Sequence, residues 1–163
     1  RHHEKMAYAA ITREDTMKTL LCATALAVAA APAFAAESVT YETEQSFDDV
    51  VFGLEAAILG QGLVIDHVSH VGDMLERTRE ATGSDVVLFE GADIYSFCSA
   101  TVSRQVMEAD PMNIVHCPYH IFVMTQPDTP GVTTIGYRDF ADASMDPVEE
   151  LLDTIAREAI GRE

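Results

Sequence analysis

The chain has 163 residues and carries 27 Asp or Glu against ten Lys or Arg, a formal net charge of −17. That length suits one domain with a single core. A surface this acidic repels phosphate backbones and anionic lipid, which argues against nucleic acid and membrane surfaces as partners.

Taken in chain order, Arg1 to Thr16 precede the first ordered pattern and read as an upstream leader outside the fold. From Met17 the chain carries Lys18, an apolar run from Leu20 to Ala31, and then Pro32-Ala33-Phe34-Ala35. A positive start, a short apolar core and a small-x-small step are what a signal peptidase reads, so residues 17–35 are expected to be a signal peptide. The apolar core is shorter than the roughly 20 residues of a spanning helix. Cys22 sits inside that core without the small residues of a lipoprotein site, so no membrane anchor is expected after cleavage. The expected compartment is periplasmic or secreted, in a bacterium. Cleavage after Ala35 leaves 128 residues with six Arg, no Lys and 24 Asp or Glu, a net charge of −18.

Within residues 36–163, Ser38 to Thr43 alternates as a short strand. Ser46 caps a helix reaching about Gly60, with Asp48 and Asp49 in its first turn and an apolar stripe of Val50, Val51, Leu54, Ala57 and Ile58. Leu63 to His70 is β-branched and reads as a strand. Val71 to Thr82 reads as a short helix stopped by Gly83. Val86 to Phe97 is extended with an interruption at Gly91, and Ser99 to Ala109 is helical up to Asp110-Pro111. Asn113 to Thr125 gives the longest strand signal. Pro127 to Gly131 has turn chemistry, so Val132 to Phe140 should return as its antiparallel partner. Asp146 and Pro147 start a last helix with Val148, Leu151, Leu152, Ile155 and Ala159 on its buried stripe.

This order predicts a single α+β domain: an antiparallel sheet with helices packed mainly on one face. The second face needs cover, and in a domain of this size a homodimer often supplies it.

Gly62-Leu63-Val64-Ile65-Asp66-His67-Val68, Phe97-Cys98-Ser99-Ala100, Met107-Glu108-Ala109-Asp110-Pro111 and His116-Cys117-Pro118-Tyr119 carry a further signal in their order and spacing. With the amphipathic last helix they resemble a bacterial family called domain of unknown function 302 (DUF302), over roughly residues 45 to 160. The resemblance implies a compact α+β domain with a curved antiparallel sheet, commonly dimeric, with no established activity. Many members have an asparagine-proline step where this chain has Cys98-Ser99, and a Pro-Cys order where it has Cys117-Pro118.

Two cysteines follow the signal segment, Cys98 and Cys117, with 18 residues between them. An even count in an oxidising compartment predicts a disulfide, and the alternative is two buried thiols packed as small apolar groups. The spacing is far from Cys-x-x-Cys, so thioredoxin-type catalysis has no support. His67, His70, His116 and His120, with Met107, Met112 and both cysteines, form a set of soft and borderline ligands. His70, Cys98, His116, Cys117 and His120 are the metal-site residues to test, with copper, zinc or haem as the groups such a site could hold. On a regular strand His116 and His120 would sit about 13 Å apart, unless Pro118 forces a bulge. The absence of Cys-x-x-Cys-His excludes ordinary covalent haem attachment.

Calcium has little support without an Asp-x-Asp-x-Asp-Gly loop. Ser99, Ser103, His70 and Asp66 could be assembled into a hydrolytic set, but no Gly-x-Ser-x-Gly step fixes a nucleophile and no glycine-rich phosphate loop is present. The expected function is therefore a periplasmic module binding a small ligand or metal near Cys98 and His116 to His120, without turnover. The alternatives are a disulfide-stabilised dimeric structural domain and, behind it, a redox or metal enzyme using the same residues.

Overall fold

The computed structural model describes residues 38–162; the leader and the signal segment read from the sequence lie outside them. Five strands make one antiparallel sheet: β1 (Ser38–Thr43), β2 (Val64–His70), β3 (Gly91–Cys98), β4 (Tyr119–Thr125) and β5 (Thr133–Arg138). Their spatial order is β1-β5-β4-β3-β2, so the first strand closes against the last and β2 forms the opposite edge. The helices are α1 (Phe47–Gly60), α2 (Val71–Thr78), α3 (Ala100–Ala109) and α4 (Asp146–Ala159). Among the described residues no helix is long and apolar enough to cross a membrane.

Strand alternation sorts side chains into two faces. Tyr95 and Phe97 of β3, Tyr119, Ile121 and Val123 of β4, and Ile135 and Tyr137 of β5 are buried together with Val50, Leu54 and Ile58 of α1. Val148, Leu152, Ile155 and Ala156 of α4 complete this core. Burial of these apolar faces, at ~25 cal/mol per Å², is the main force holding helices to sheet. The expected α+β domain with helices mainly on one face is what the chain forms.

Local chemistry sets the helix ends. The Ser46 hydroxyl accepts from the Asp49 amide at 3.2 Å and donates to the Asp49 carboxylate at 2.6 Å, which starts α1. The Ser99 hydroxyl accepts from the Val102 amide and starts α3. α2 runs into a 3-10 turn at Glu80–Thr82 that ends on left-handed Gly83, as the glycine stop predicts. At α4 the cap is Met145, one residue before the expected Asp146 and without a side-chain cap bond, and Asp146 takes the first helical position.

The expected strand from Asn113 is shorter than the sequence pattern. Pro111–His116 forms a 3-10 helix instead, and β4 starts at Tyr119. Two side chains decide this. The Asp110 carboxylate accepts from the Met112 amide at 2.9 Å, and the buried Asn113 amide donates to the Val106 carbonyl at 2.9 Å and to the Ser144 hydroxyl at 3.1 Å. Met112, Ile114 and Val115 consequently point to solvent. Val86, Val87 and Leu88, expected to be extended, likewise lie exposed ahead of β3.

Candidate functional site

On the second face the start of α2 lies against Ala92 of β3, and the residues toward the other end of the sheet follow from the register. Ser38 pairs with Arg138, Ser96 pairs with His120, and His67 pairs with Ser96. One step beyond the Ile121–Tyr137 pair, His120 and Arg138 come opposite each other. A polar row thus crosses all five strands: Ser38, Arg138, His120, Ser96 and His67. Neighbouring strands lie about 4.8 Å apart, so each member is within side-chain reach of the next.

A bulge between Ile65 and His67 is what brings His67 into this row. The extra residue reverses the alternation, so Asp66 and His70 do not share a face as their even spacing predicts.

An apolar wall lies beside the row. Ile94 pairs with Phe122, and Phe122 pairs with Gly136. A Cβ at Gly136 would lie 2.8 Å from Phe122 Cζ and 2.5 Å from the Val39 carbonyl, so the missing side chain makes room for the ring. On the other side, His116 meets Phe140 edge-on with ring centroids 5.0 Å apart and planes at 77°. The Phe140 amide donates to the Glu149 carboxylate of α4, which fixes that end. Together these residues enclose a cleft of about 560 Å³ lined by His116, Cys117, Pro118, His120, Ile94, Phe122, Arg138, Phe140, Val115 and Ser38, with Tyr119 and Tyr137 at its base.

The sequence-derived site residues separate into two groups. His116, Cys117 and His120 line the cleft, and the Cys98 sulfur lies 2.6 Å from that of Cys117. Both cysteines are free thiols in the structure. His70 does not join them: it pairs with Asp93 at the far end of β3, and its Nδ1 lies 2.9 Å from the Asp93 carboxylate. Cys98 lies five positions along β3 from Asp93, on the order of 16 Å along a strand. Among the described residues no three His, Cys, Asp or Glu side chains come together as a set able to hold a metal ion.

The electrostatics follow from burial. Burial, and after it the contact with Cys117, pushes the Cys98 thiol up to about 12. As a free thiol Cys98 is therefore poor in thiolate near neutral pH and is not an activated nucleophile. Burial, then the Arg138 charge, lowers the His120 pKa below its ordinary value. Ser103, in α3, shares a 3.0 Å hydrogen bond with the Tyr119 hydroxyl, and Ser99 serves as a cap. Neither is set beside a base.

Arg138, Ile94, Phe122, Phe140 and Ser38 are the cleft residues that the sequence reading missed. The alternation of β4 and β5 already put His120, Phe122 and Arg138 at like-facing positions. What it lacked was the pairing of β1 with β5 and the 3-10 turn that swings His116 toward Phe140.

No curated protein matches the chain. Among solved structures it is similar to the crystal structure of an uncharacterized conserved protein DUF302 from Bacillus stearothermophilus, with a TM-score of 0.60 and 16% sequence identity over 77% of this chain and 97% of that one. At that identity the likeness carries the fold. The sequence model described as domain of unknown function DUF302 matches residues 39–162, which takes in every strand and helix above but for the first residue of β1; the chain belongs to the DUF302 family.

Proposed function

We propose that this protein is a small-ligand-binding module of the bacterial periplasm, acting without turnover, whose ligand lies on the open face of the sheet between Phe122 and His116. The observation that carries this reading is the cleft of about 560 Å³, lined by Phe122, Phe140 and Ile94 together with Ser38, Arg138 and His120 of the polar row. Its size and its mix of aromatic wall and few polar groups are those of small-molecule sites. The signal-like segment ending at Ala35 supports the compartment.

Isotope-labelled full chain titrated with indole, phenol and hexanol tests it by NMR. The expected shift changes concentrate at Ile94, His116, His120 and Phe122, and Ile94→Trp, which fills the cleft from a half-buried position, suppresses them. Changes confined to the helical layer, or none at millimolar probe, would sink the proposal.

In the same reading Cys98 and Cys117 are joined in the mature protein. The 2.6 Å between their sulfurs supports this, since a bond of about 2.05 Å needs only a small approach. Its formation removes two protons and two electrons, which a protein disulfide of the compartment accepts as it becomes a dithiol.

A homodimer is a second reading, favoured by a patch beside the cleft: Met112, Ile114 and Val115 on the 3-10 helix, and Val64 beside Cys98, are each at least 60% exposed. Large apolar side chains grouped at one end of an open sheet are what a second copy would cover. Gel filtration with light scattering is expected to give twice the monomer mass, and Ile114→Asp to return it to monomer. A wild-type monomer at high micromolar concentration would exclude the dimer.

A further inference from the structure

We infer that the ligand received by this cleft is a monoanion of the carboxylate class on an apolar body, its head on Arg138 and its body against Phe122, Ile94 and Phe140. This rests on the ligand-binding reading above and adds the class of ligand.

The charge distribution carries it. The chain is strongly acidic, yet among the described residues no Asp or Glu side chain lines the cleft. The cleft holds one arginine instead, and among the described residues Arg138 makes no ion pair. Arg79 meets Glu76 at 3.0 Å, Arg104 meets Glu108 at 2.9 Å and Arg157 lies 3.7 Å from Asp153. Among the described residues Arg77 and Arg162, like Arg138, make no ion pair, but neither of them lines this cleft. In so acidic a protein, an arginine kept apart from carboxylates and facing an aromatic wall offers its donors to something outside the chain.

The neighbours fit a carboxylate. Ser38 pairs with Arg138 on one side and His120 comes opposite on the other, so a hydroxyl and an imidazole flank the guanidinium fork. That fork matches two carboxylate oxygens in a bidentate pair, which a neutral amide or alcohol cannot equal. A single permanent positive charge balances a single negative one. His120, held toward its neutral form by burial and by Arg138, adds a donor without a second full charge near pH 7. A phosphate dianion would leave one charge uncompensated in a strongly negative field. The ring of Phe122 over Gly136 and that of Phe140 against His116 leave apolar surface for a chain or ring some carbons long.

Calorimetry on the full chain near pH 7.5 tests this with octanoate, its neutral analogue octanamide, and inorganic phosphate. Octanoate is expected to bind at least tenfold tighter than octanamide, and phosphate more weakly than either. Arg138→Gln, at an exposed strand position, is expected to abolish the octanoate preference while octanamide affinity stays within twofold. Should that variant misfold, the octanoate-to-octanamide ratio on the unchanged protein still decides. Octanamide binding as tightly as octanoate would overturn the inference and leave the cleft reading standing. Phosphate matching octanoate would overturn the apolar body, and no binding of octanoate or octanamide at millimolar concentration would bring down both readings.

Discussion

Gly53→Ala is expected to destabilise the protein by about 3 kcal/mol, the upper end of what overpacking usually costs. The sign is the informative part. At an ordinary interior helical position the same change stabilises by roughly 1 kcal/mol, because alanine is the better helix former. Gly53 is not ordinary: a Cβ there would lie 2.1 Å from the carbonyl oxygen of Ala159. The obstacle is backbone in α4, which has no rotamer to change, so α1 and α4 must move apart. Leu54, Ile58, Leu152 and Ile155 pack in the same core and would lose contact as they do. Urea unfolding should show a lower midpoint with an unchanged slope, and thermal unfolding a fall on the order of 10 °C. A variant as stable as the parent would mean that the two helices do not meet at Ala159.

The second large effect concerns Cys98 and Cys117. Protein recovered from the periplasm is expected to be processed after Ala35, two hydrogens lighter than its dithiol mass, and closed to alkylation until reduced. Reduction, or Cys98→Ser with Cys117→Ser, should then cost about 3 kcal/mol, the chain-entropy value for a closed loop of this size. That loop holds α3 and the 3-10 helix Pro111–His116, the segments that carry His116 to the cleft. Loss of the bridge is therefore expected to loosen the cleft as well as the fold. Two alkylatable thiols in untreated periplasmic protein would remove the bridge and return the pair to a packed dithiol.

Patterning and caps made most elements legible. Ser46 and Ser99 announce α1 and α3, Gly83 stops the α2 region, and the apolar stripe at Val148, Leu152 and Ile155 marks α4. Asn113 to His116 misled because its apolar residues are exposed: a buried asparagine with two partners holds a 3-10 turn where β-branched chemistry points to a strand. The site was half legible. His116, Cys117 and His120 line one cleft, whereas His70 lies at the other end of the β2–β3 pair from Cys98.

By itself the sequence determined what is local or compositional: acidity, the α+β order of elements, helix ends, and the two faces of each strand, because these depend on side-chain period and on bonds a few residues long. Only the tertiary structure decided which positions meet. β1 closes on β5 across about 90 residues of chain, a bulge at Asp66 reverses the alternation of β2, and Arg138, His120, Ser96 and His67 fall into one row. Register across a sheet is settled by burying all five strands' apolar sides at once, a condition on the whole core that no single segment contains.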